Sequence, residues 1–194
     1  MRPMIINVLA FTGGFVIMAM ELLGGRILAP YFGASIYVWG SIISVFMLAL
    51  AFGYLLGGRL SLQRPSLRRF GLVFLIAAVL LYPLAIYADP LMQLVFTYVE
   101  DPRYGSLLAA ALLFALPTVI LGVISPYAVR LRVEHVDQSG SVAGRLYFVS
   151  TLGSALGTLA TSFYFVLWFE INTIISLLTL TLVAMGALAW FADR

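Results

Sequence analysis

The sequence predicts an all-α protein that crosses a membrane several times. Of its 194 residues, 63% are hydrophobic and 10% are charged, whereas soluble domains average about 45–50% apolar and about 25% charged residues. A chain this apolar cannot cover its surface with polar groups, which excludes a soluble globular protein. Its many Leu, Ile, Val and Phe residues exclude a disordered chain. Six stretches also reach the roughly 20 apolar residues that a membrane-spanning helix needs.

The six predicted helices form one domain over residues 1–194. The first follows Met1-Arg2-Pro3 and is interpreted as a retained helix, because it is longer than a signal peptide and has no evident cleavage site. A short turn with Pro30 and Gly33 precedes the second helix. The fourth follows a longer loop in which Leu91–Val99 is expected to form a short helix. The predicted ranges are Met4–Leu28, Ile36–Gly58, Phe70–Ala88, Leu107–Val129, Leu146–Trp168 and Thr173–Ala192.

The turns and prolines refine this arrangement. The connection Phe169–Asn172 is so short that the last two helices are expected to form an antiparallel hairpin. Pro83, Pro117 and Pro126 are expected to kink the third and fourth helices, because proline removes a backbone hydrogen bond.

The distribution of arginine predicts the orientation. If the first helix starts in the cytoplasm, only Arg26 and Arg103 lie on the far side. Because positively charged loops stay in the cytoplasm, both termini are predicted there. The scattered basic residues do not form a nucleic-acid surface. The arginines predicted to be cytoplasmic are Arg2, Arg59, Arg64, Arg68, Arg69, Arg130, Arg132, Arg145 and Arg194.

Several kinds of chemistry are not expected. The chain has no cysteine and a single histidine, His135, so neither a disulfide nor a conventional metal centre is predicted. Glu21 and Arg26 are the only ionisable side chains placed well inside a predicted helix. No spacing typical of nucleophilic, metal or acid–base catalysis is present, so no catalytic residue and no cofactor are predicted.

Glu21 is the most informative residue of the sequence. A carboxylate inside a membrane helix is costly unless it is paired, protonated or hydrated, so it marks a substrate or proton site or a fixed arginine partner. Arg26 lies about 140° around the helix from Glu21, which disfavours direct pairing. Arg26 either contributes to a site or extends to the headgroups. Gly24-Gly25 between them is expected to loosen the helix and free carbonyl groups.

Small and hydroxyl-bearing residues lie within the predicted second and fifth helices. Gly53-x-x-x-Gly57 and Gly153-x-x-x-Gly157 predict close helix packing rather than nucleotide binding. The hydroxyl groups on the fifth helix form one stripe at helical spacing, and they either bond to backbone carbonyls or line a polar cavity. This hydroxyl stripe consists of Thr151, Ser154, Thr158 and Thr161. The predicted substrate-binding residues are Glu21, Arg26, Ser44, Thr151 and Ser154.

The two predicted cytoplasmic loops are basic. Leu60–Arg69 and Arg130–Arg145 either contact anionic headgroups or dock a cytoplasmic partner. For the second alternative, the predicted contact residues are Arg68, Arg69 and Arg132.

Four motifs together resemble a bacterial family. The combined set is similar to the membrane part of the fused major-facilitator/spermidine-synthase-like proteins. The resemblance implies a bundle like half of a major facilitator in a bacterial inner membrane, and it covers nearly the whole chain. The motifs are Glu21-Leu-Leu-Gly-Gly-Arg26-Ile-Leu-Ala-Pro30 with Val38-Trp39-Gly40, Gly53-Tyr-Leu-Leu-Gly57-Gly58-Arg59, Ser125-Pro126-Tyr-Ala-Val-Arg130, and Ala143-Gly144-Arg145 leading to Gly153-Ser154-Ala-Leu-Gly157.

Two departures from that family shape the functional hypotheses. The chain is expected to lack the soluble synthase-like domain, and the loop after Arg59 lacks the acidic residue of a facilitator latch. One hypothesis is a homodimeric transporter of a small solute such as a polyamine. The alternative is a non-catalytic anchor or accessory subunit that binds a separate synthase-like enzyme or a larger membrane complex.

Overall fold

A computed structural model describes residues 2–62, 65–133 and 135–193. The described residues form helices with no strand among them, which confirms the predicted all-α class. A 3-10 turn at Val136–Gln138 precedes α7, and a π-helical segment at Thr161–Phe165 follows it. The α-helices are α1 (Arg2–Phe32), α2 (Ile36–Ser61), α3 (Leu67–Leu81), α4 (Leu84–Tyr98), α5 (Pro102–Gly122), α6 (Ile124–Arg132), α7 (Ser139–Ala160), α8 (Val166–Trp168) and α9 (Ile171–Phe191).

Five stretches of these helices are long and apolar enough to cross a membrane. They are α1, α2, α5 continued by α6, α7 continued to the end of α8, and α9. The pair α3 and α4 is a further candidate if it counts as one span, and it is bent by 47°. The chain therefore has the architecture of a multi-pass membrane protein. Arg64 and Arg194, both counted in the predicted orientation, lie outside the described residues.

The third predicted helix is not continuous, which corrects the range Phe70–Ala88. α3 ends at Leu81 and α4 begins at Leu84. Pro83 has no N–H to bond to the carbonyl of Val79, so the helix breaks where the proline predicted a kink. α4 takes in most of the short helix expected at Leu91–Val99.

The other two prolines act differently. α5 continues through Pro117 to Gly122, so this residue does not end the helix. The break at Val123 lies three residues before Pro126. Pro126 has no N–H to donate to the carbonyl of Gly122, and its ring would clash with that carbonyl in a regular helix.

The helices pack in three principal pairs. α1 packs on α7, α2 packs on α5 and α6, and α3 packs on α9. The short connection between α8 and α9 exists as predicted, but the helices that it joins pack on different neighbours. The expected hairpin of the last two spans is therefore wrong, because helix surfaces rather than loop length select the partners.

Glycines give two of these pairs the same contacts. A Cβ on Gly53 of α2 would collide with the carbonyl oxygen of Val119, and a Cβ on Gly153 of α7 would collide with that of Phe11. One turn further on, Gly57 faces the Val123 carbonyl and Gly157 faces that of Phe15. α2 thus meets α5 and Val123 as α7 meets α1.

The third pair completes this internal repeat. A Cβ on Gly71 of α3 would lie 2.6 Å from the carbonyl oxygen of Gly186 in α9, and a Cβ on Gly186 would lie 3.0 Å from that of Gly71. When α1, α2 and the pair α3–α4 are exchanged for the pair α5–α6, the pair α7–α8 and α9, the contact pattern is preserved. The bundle therefore consists of two units with matching packing, α1–α4 and α5–α9.

One end of the bundle brings the first and last described residues together. The Arg2 Nη2 atom lies 2.9 Å from Asp193 Oδ1 in a salt bridge. The Arg132 guanidinium donates to the Pro3 carbonyl oxygen at 3.0 Å, and the backbone N–H of Arg68 donates to Asp193. We call this the basic end, since it holds Arg2, Arg59, Arg68, Arg69, Arg130, Arg132 and Arg145, whereas Arg26 and Arg103 lie at the opposite, distal end.

Candidate functional site

A cavity of about 370 Å³ lies between α1, α2, α6 and α7. We call it the central cavity. These helices are the ones related by the Gly53 and Gly153 contacts. Gly14 permits this geometry, because a Cβ there would collide with the carbonyl oxygen of Ser150. The internal repeat therefore places the cavity at the junction of the two units.

Hydroxyl groups supply the polar surface of the central cavity. They come from Tyr54, Ser125, Tyr147, Ser150, Thr151 and Ser154, and no charged side chain of the described residues lines the space. The Ser154 hydroxyl lies 3.2 Å from the carbonyl oxygens of both Gly14 and Ser150, to which it donates. The exposed Thr151 hydroxyl makes no hydrogen bond within the described part of the chain. Such a surface can accept or donate hydrogen bonds to a small polar ligand.

Two of the predicted substrate-binding residues, Thr151 and Ser154, line the central cavity. Glu21 is half-buried on α1, one helical turn beyond the lining residues Ile17 and Met18 on the same face. Within the described ranges it forms no hydrogen bond or ion pair. Glu21 therefore lies beside the cavity rather than in its wall, and Arg26 is not its fixed partner.

Arg26 lines a different cavity, of about 570 Å³, at the distal end. We call this the distal cavity. The Arg26 Nη2 atom donates to the carbonyl oxygen of Val166 at 3.1 Å, which satisfies one of the last carbonyls of α8. This residue thus joins α1 to the end of α8, as well as facing the cavity.

Gly24 and Gly25 do not loosen α1, which corrects that expectation. The helix is continuous from Arg2 to Phe32. Both glycines instead admit aromatic rings, since a Cβ on Gly24 would lie 3.2 Å from the Phe114 ring and one on Gly25 would lie 2.7 Å from the Trp39 ring.

Ser44 is separate from both cavities. It lies in a shallow groove between α2 and α5, together with Arg103 and Leu107. The five predicted substrate-binding residues therefore do not form one site: Thr151 and Ser154 share the central cavity, and Glu21 is next to it.

The three predicted partner-binding arginines contact other residues of this chain. The Arg68 guanidinium carbon lies 3.9 Å from the centroid of the Trp190 ring. Arg132 donates to the Pro3 carbonyl and to Asn7 Oδ1, and the Arg69 backbone N–H donates to Ser66 Oγ. Three other arginines at the basic end, Arg59, Arg130 and Arg145, are exposed and make no such contact in the described residues.

The comparisons with known proteins give no relative of this chain. No protein-family model, curated protein or solved structure matches it. The site is therefore interpreted from its geometry.

Sequence reasoning missed the cavity's two tyrosines. Tyr54 directly follows Gly53, and Tyr147 lies one turn before Thr151 on the face that carries the hydroxyl stripe. Tyr54 is placed inside the predicted helix Ile36–Gly58 rather than at its end, where tyrosine is common, and that position was a signal for it. Tyr147 is the second residue of the predicted range Leu146–Trp168, so only its spacing from Thr151 could have identified it.

Proposed function

We propose that the protein is a membrane transporter of a small cationic solute of the polyamine class, bound in the central cavity. The observation that carries this proposal is a cavity of about 370 Å³ between four helices, lined by six hydroxyl-bearing residues. Polar groups between apolar helices are costly unless they are hydrogen-bonded or hydrated. A path that holds water and a polar solute would satisfy the hydroxyl groups of this cavity.

The lining favours a cation over an anion. Hydroxyl oxygens accept hydrogen bonds from ammonium groups, and the rings of Tyr54 and Tyr147 can contribute cation–π attraction. None of the described arginines lines the cavity. Glu21, one turn away on α1, is suited to be the counter-charge.

The topology that belongs to this proposal has six spans with both ends in the cytoplasm of a bacterial inner membrane. The Arg2–Asp193 salt bridge supports it, because two ends on one side require an even number of crossings. α3 and α4 have 15 residues each, about 22 Å of helix, which is short of a hydrocarbon core of about 30 Å. The pair therefore counts as one span, and the basic end is cytoplasmic.

The six spans correspond to half of a major facilitator, as the sequence resemblance implies. The internal repeat supports this, since three crossings per unit make the two units inverted relative to each other. We propose that two copies face each other across the open sides of their central cavities. A homodimer would then enclose a complete path.

The test is uptake of labelled putrescine and spermidine into proteoliposomes that contain the purified chain. Glu21→Gln and the double variant Tyr54→Phe/Tyr147→Phe should reduce uptake, because they remove the counter-charge and the phenol hydroxyls. Glu100→Gln is the matched control, since it removes an exposed carboxylate from the distal end. An absence of flux for every amine tested, or full uptake by Glu21→Gln, would count against the proposal.

The exposed Arg59, Arg130 and Arg145 favour a second candidate function. In it, the protein is a non-catalytic anchor or accessory subunit, and these arginines at the basic end bind an acidic surface of a synthase-like enzyme or a larger membrane complex. Gentle solubilisation followed by mass analysis of co-eluting chains tests this. Reversal of the three charges should release a stoichiometric partner, and elution as a bare homodimer would instead favour transport.

A further inference from the structure

The distal cavity contains charged groups of both signs from three separate elements. Arg26 belongs to α1, Asp89 to α4, and Glu170 to the turn that precedes α9. All three line one space of about 570 Å³. Nevertheless, Arg26 forms an ion pair with neither carboxylate. Opposite charges in one cavity attract each other, so other contacts must keep the Arg26 guanidinium apart from the carboxylates.

Hydrogen bonds to other groups provide that restraint. The Arg26 guanidinium donates to the Val166 carbonyl oxygen at 3.1 Å. Asp89 accepts from Gln93 Nε2 at 3.0 Å and also from the Tyr31 hydroxyl. Since a guanidinium has five N–H donors, Arg26 retains four for a ligand.

The Glu170 carboxylate lines the cavity without a hydrogen-bond partner in the described residues. Glu170 occupies the N-cap position of α9, but its side chain makes no capping hydrogen bond. Its carbonyl oxygen accepts from the Ile174 N–H at 3.0 Å, but its carboxylate has no hydrogen bond or ion pair among the described residues. Its exposed carboxylate is thus free to bind a cation near the restrained Arg26.

We propose that the distal cavity binds a zwitterion that carries a primary ammonium and a phosphate. Arg26 binds the phosphate, for which a guanidinium fork is well shaped. Glu170 and Asp89 accept hydrogen bonds from the ammonium. The apolar walls formed by Ile27, Met92 and Ile171 contact the carbon chain between or beyond the two charges.

Two sources offer this chemistry: the headgroup of phosphatidylethanolamine and free phosphoethanolamine. The cavity lies beside the end of α1 and the start of α9, where membrane helices reach the headgroup level. It shares no lining residue with the central cavity. Binding here can therefore be measured independently of transport.

The experiment is native mass spectrometry of the purified full chain, titrated with phosphatidylethanolamine, phosphatidylcholine or phosphatidylglycerol of identical acyl chains. Phosphatidylcholine has no N–H donor and phosphatidylglycerol has no ammonium. Phosphatidylethanolamine should be retained on the order of tenfold better than either, which is the effect of one charge-assisted hydrogen bond. Glu170→Gln should abolish that preference, whereas Glu100→Gln, at the same end but outside the cavity, should keep it.

A parallel titration with free phosphoethanolamine distinguishes the two sources. Saturable binding that Glu170→Gln weakens identifies the free solute, and selective lipid retention alone identifies the headgroup; either result supports the site. Equal retention of the three lipids without phosphoethanolamine binding would overturn the proposal. Elution profiles and melting temperatures of both variants confirm that any loss is not a loss of fold.

Discussion

Gly53 and Gly153 occupy equivalent positions in the bundle. Each lies so close to a backbone carbonyl of a neighbouring helix, that of Val119 or Phe11, that a methyl group would collide with it. In a membrane, where lipid is as apolar as leucine, such close packing is a main source of helix association. The two glycines therefore fix the two contacts around the central cavity.

Substitution of these glycines by alanine tests that role. Gly53→Ala and Gly153→Ala should each destabilise the fold by about 1–3 kcal/mol through overpacking. Gly58 and Gly144 have open space where a Cβ would lie, and alanine there should be neutral or stabilising by up to about 1 kcal/mol. Thermal unfolding in detergent, followed by tryptophan fluorescence, measures the difference. Equal melting temperatures for the two groups would contradict the packing role.

Removal of one hydroxyl tests the central cavity. Thr151→Val keeps the shape of a side chain whose hydroxyl has no protein partner in the described structure, so the fold should be unaffected. The KM for amine uptake should rise by about fivefold to tenfold, the effect of one lost hydrogen bond. Ser44→Ala, in the shallow groove on α2, is the control and should leave KM unchanged. A larger rise in KM for Ser44→Ala than for Thr151→Val would indicate that the solute does not bind beside α7.

The absence of native cysteine makes the topology directly testable. Glu100→Cys places a thiol at the distal end, and Gln138→Cys places one at the basic end. A membrane-impermeant maleimide should label position 100 in intact cells and position 138 only after permeabilisation. Labelling of both positions on the same side would mean that α5 and α6 do not cross the membrane as one span, and the reverse pattern, with only position 138 labelled in intact cells, would mean that α3 and α4 do not act as one span.

The contacts of Arg132 predict a stabilising role at the basic end. Arg132→Ala loses its bonds to the Pro3 carbonyl and to Asn7, so the first turn of α1 should loosen at a cost of about 1 kcal/mol. Arg130→Ala is the matched control because Arg130 is exposed and unbonded in the described residues. Hydrogen exchange of residues 2–9 should accelerate only in Arg132→Ala. Identical exchange in both variants would assign the stability of this turn to other contacts.

The helices could be predicted from the sequence because a chain 63% hydrophobic needs long apolar helices to satisfy its backbone in lipid. The break at Pro83 followed from the missing N–H. The pairing of the helices could not be predicted from the sequence. The short connection Phe169–Asn172 suggested a hairpin, whereas the glycine contacts pack the helices on other neighbours. A glycine pair signals close approach but does not identify the opposite helix.

The candidate site shows the same division. Thr151 and Ser154 were predictable from helical spacing, because a stripe on one face stays together in space. Glu21, Arg26 and Ser44 were grouped by residue chemistry alone, and the fold distributes them over different surfaces. Tyr54 and Tyr147 come from different helices, so only the packing of α2 and α7 around α1 and α6 brings them to one cavity.

The salt bridge between Arg2 and Asp193 has a consequence for protein engineering. Because the side chains of residues 2 and 193 meet, a linker of a few residues between these two positions could join them with little strain on the bundle. New ends could then be opened in the connection between α4 and α5, next to the exposed Glu100. Such a circular permutant would begin with α5 and would show whether α5–α9 can insert into a membrane before α1–α4.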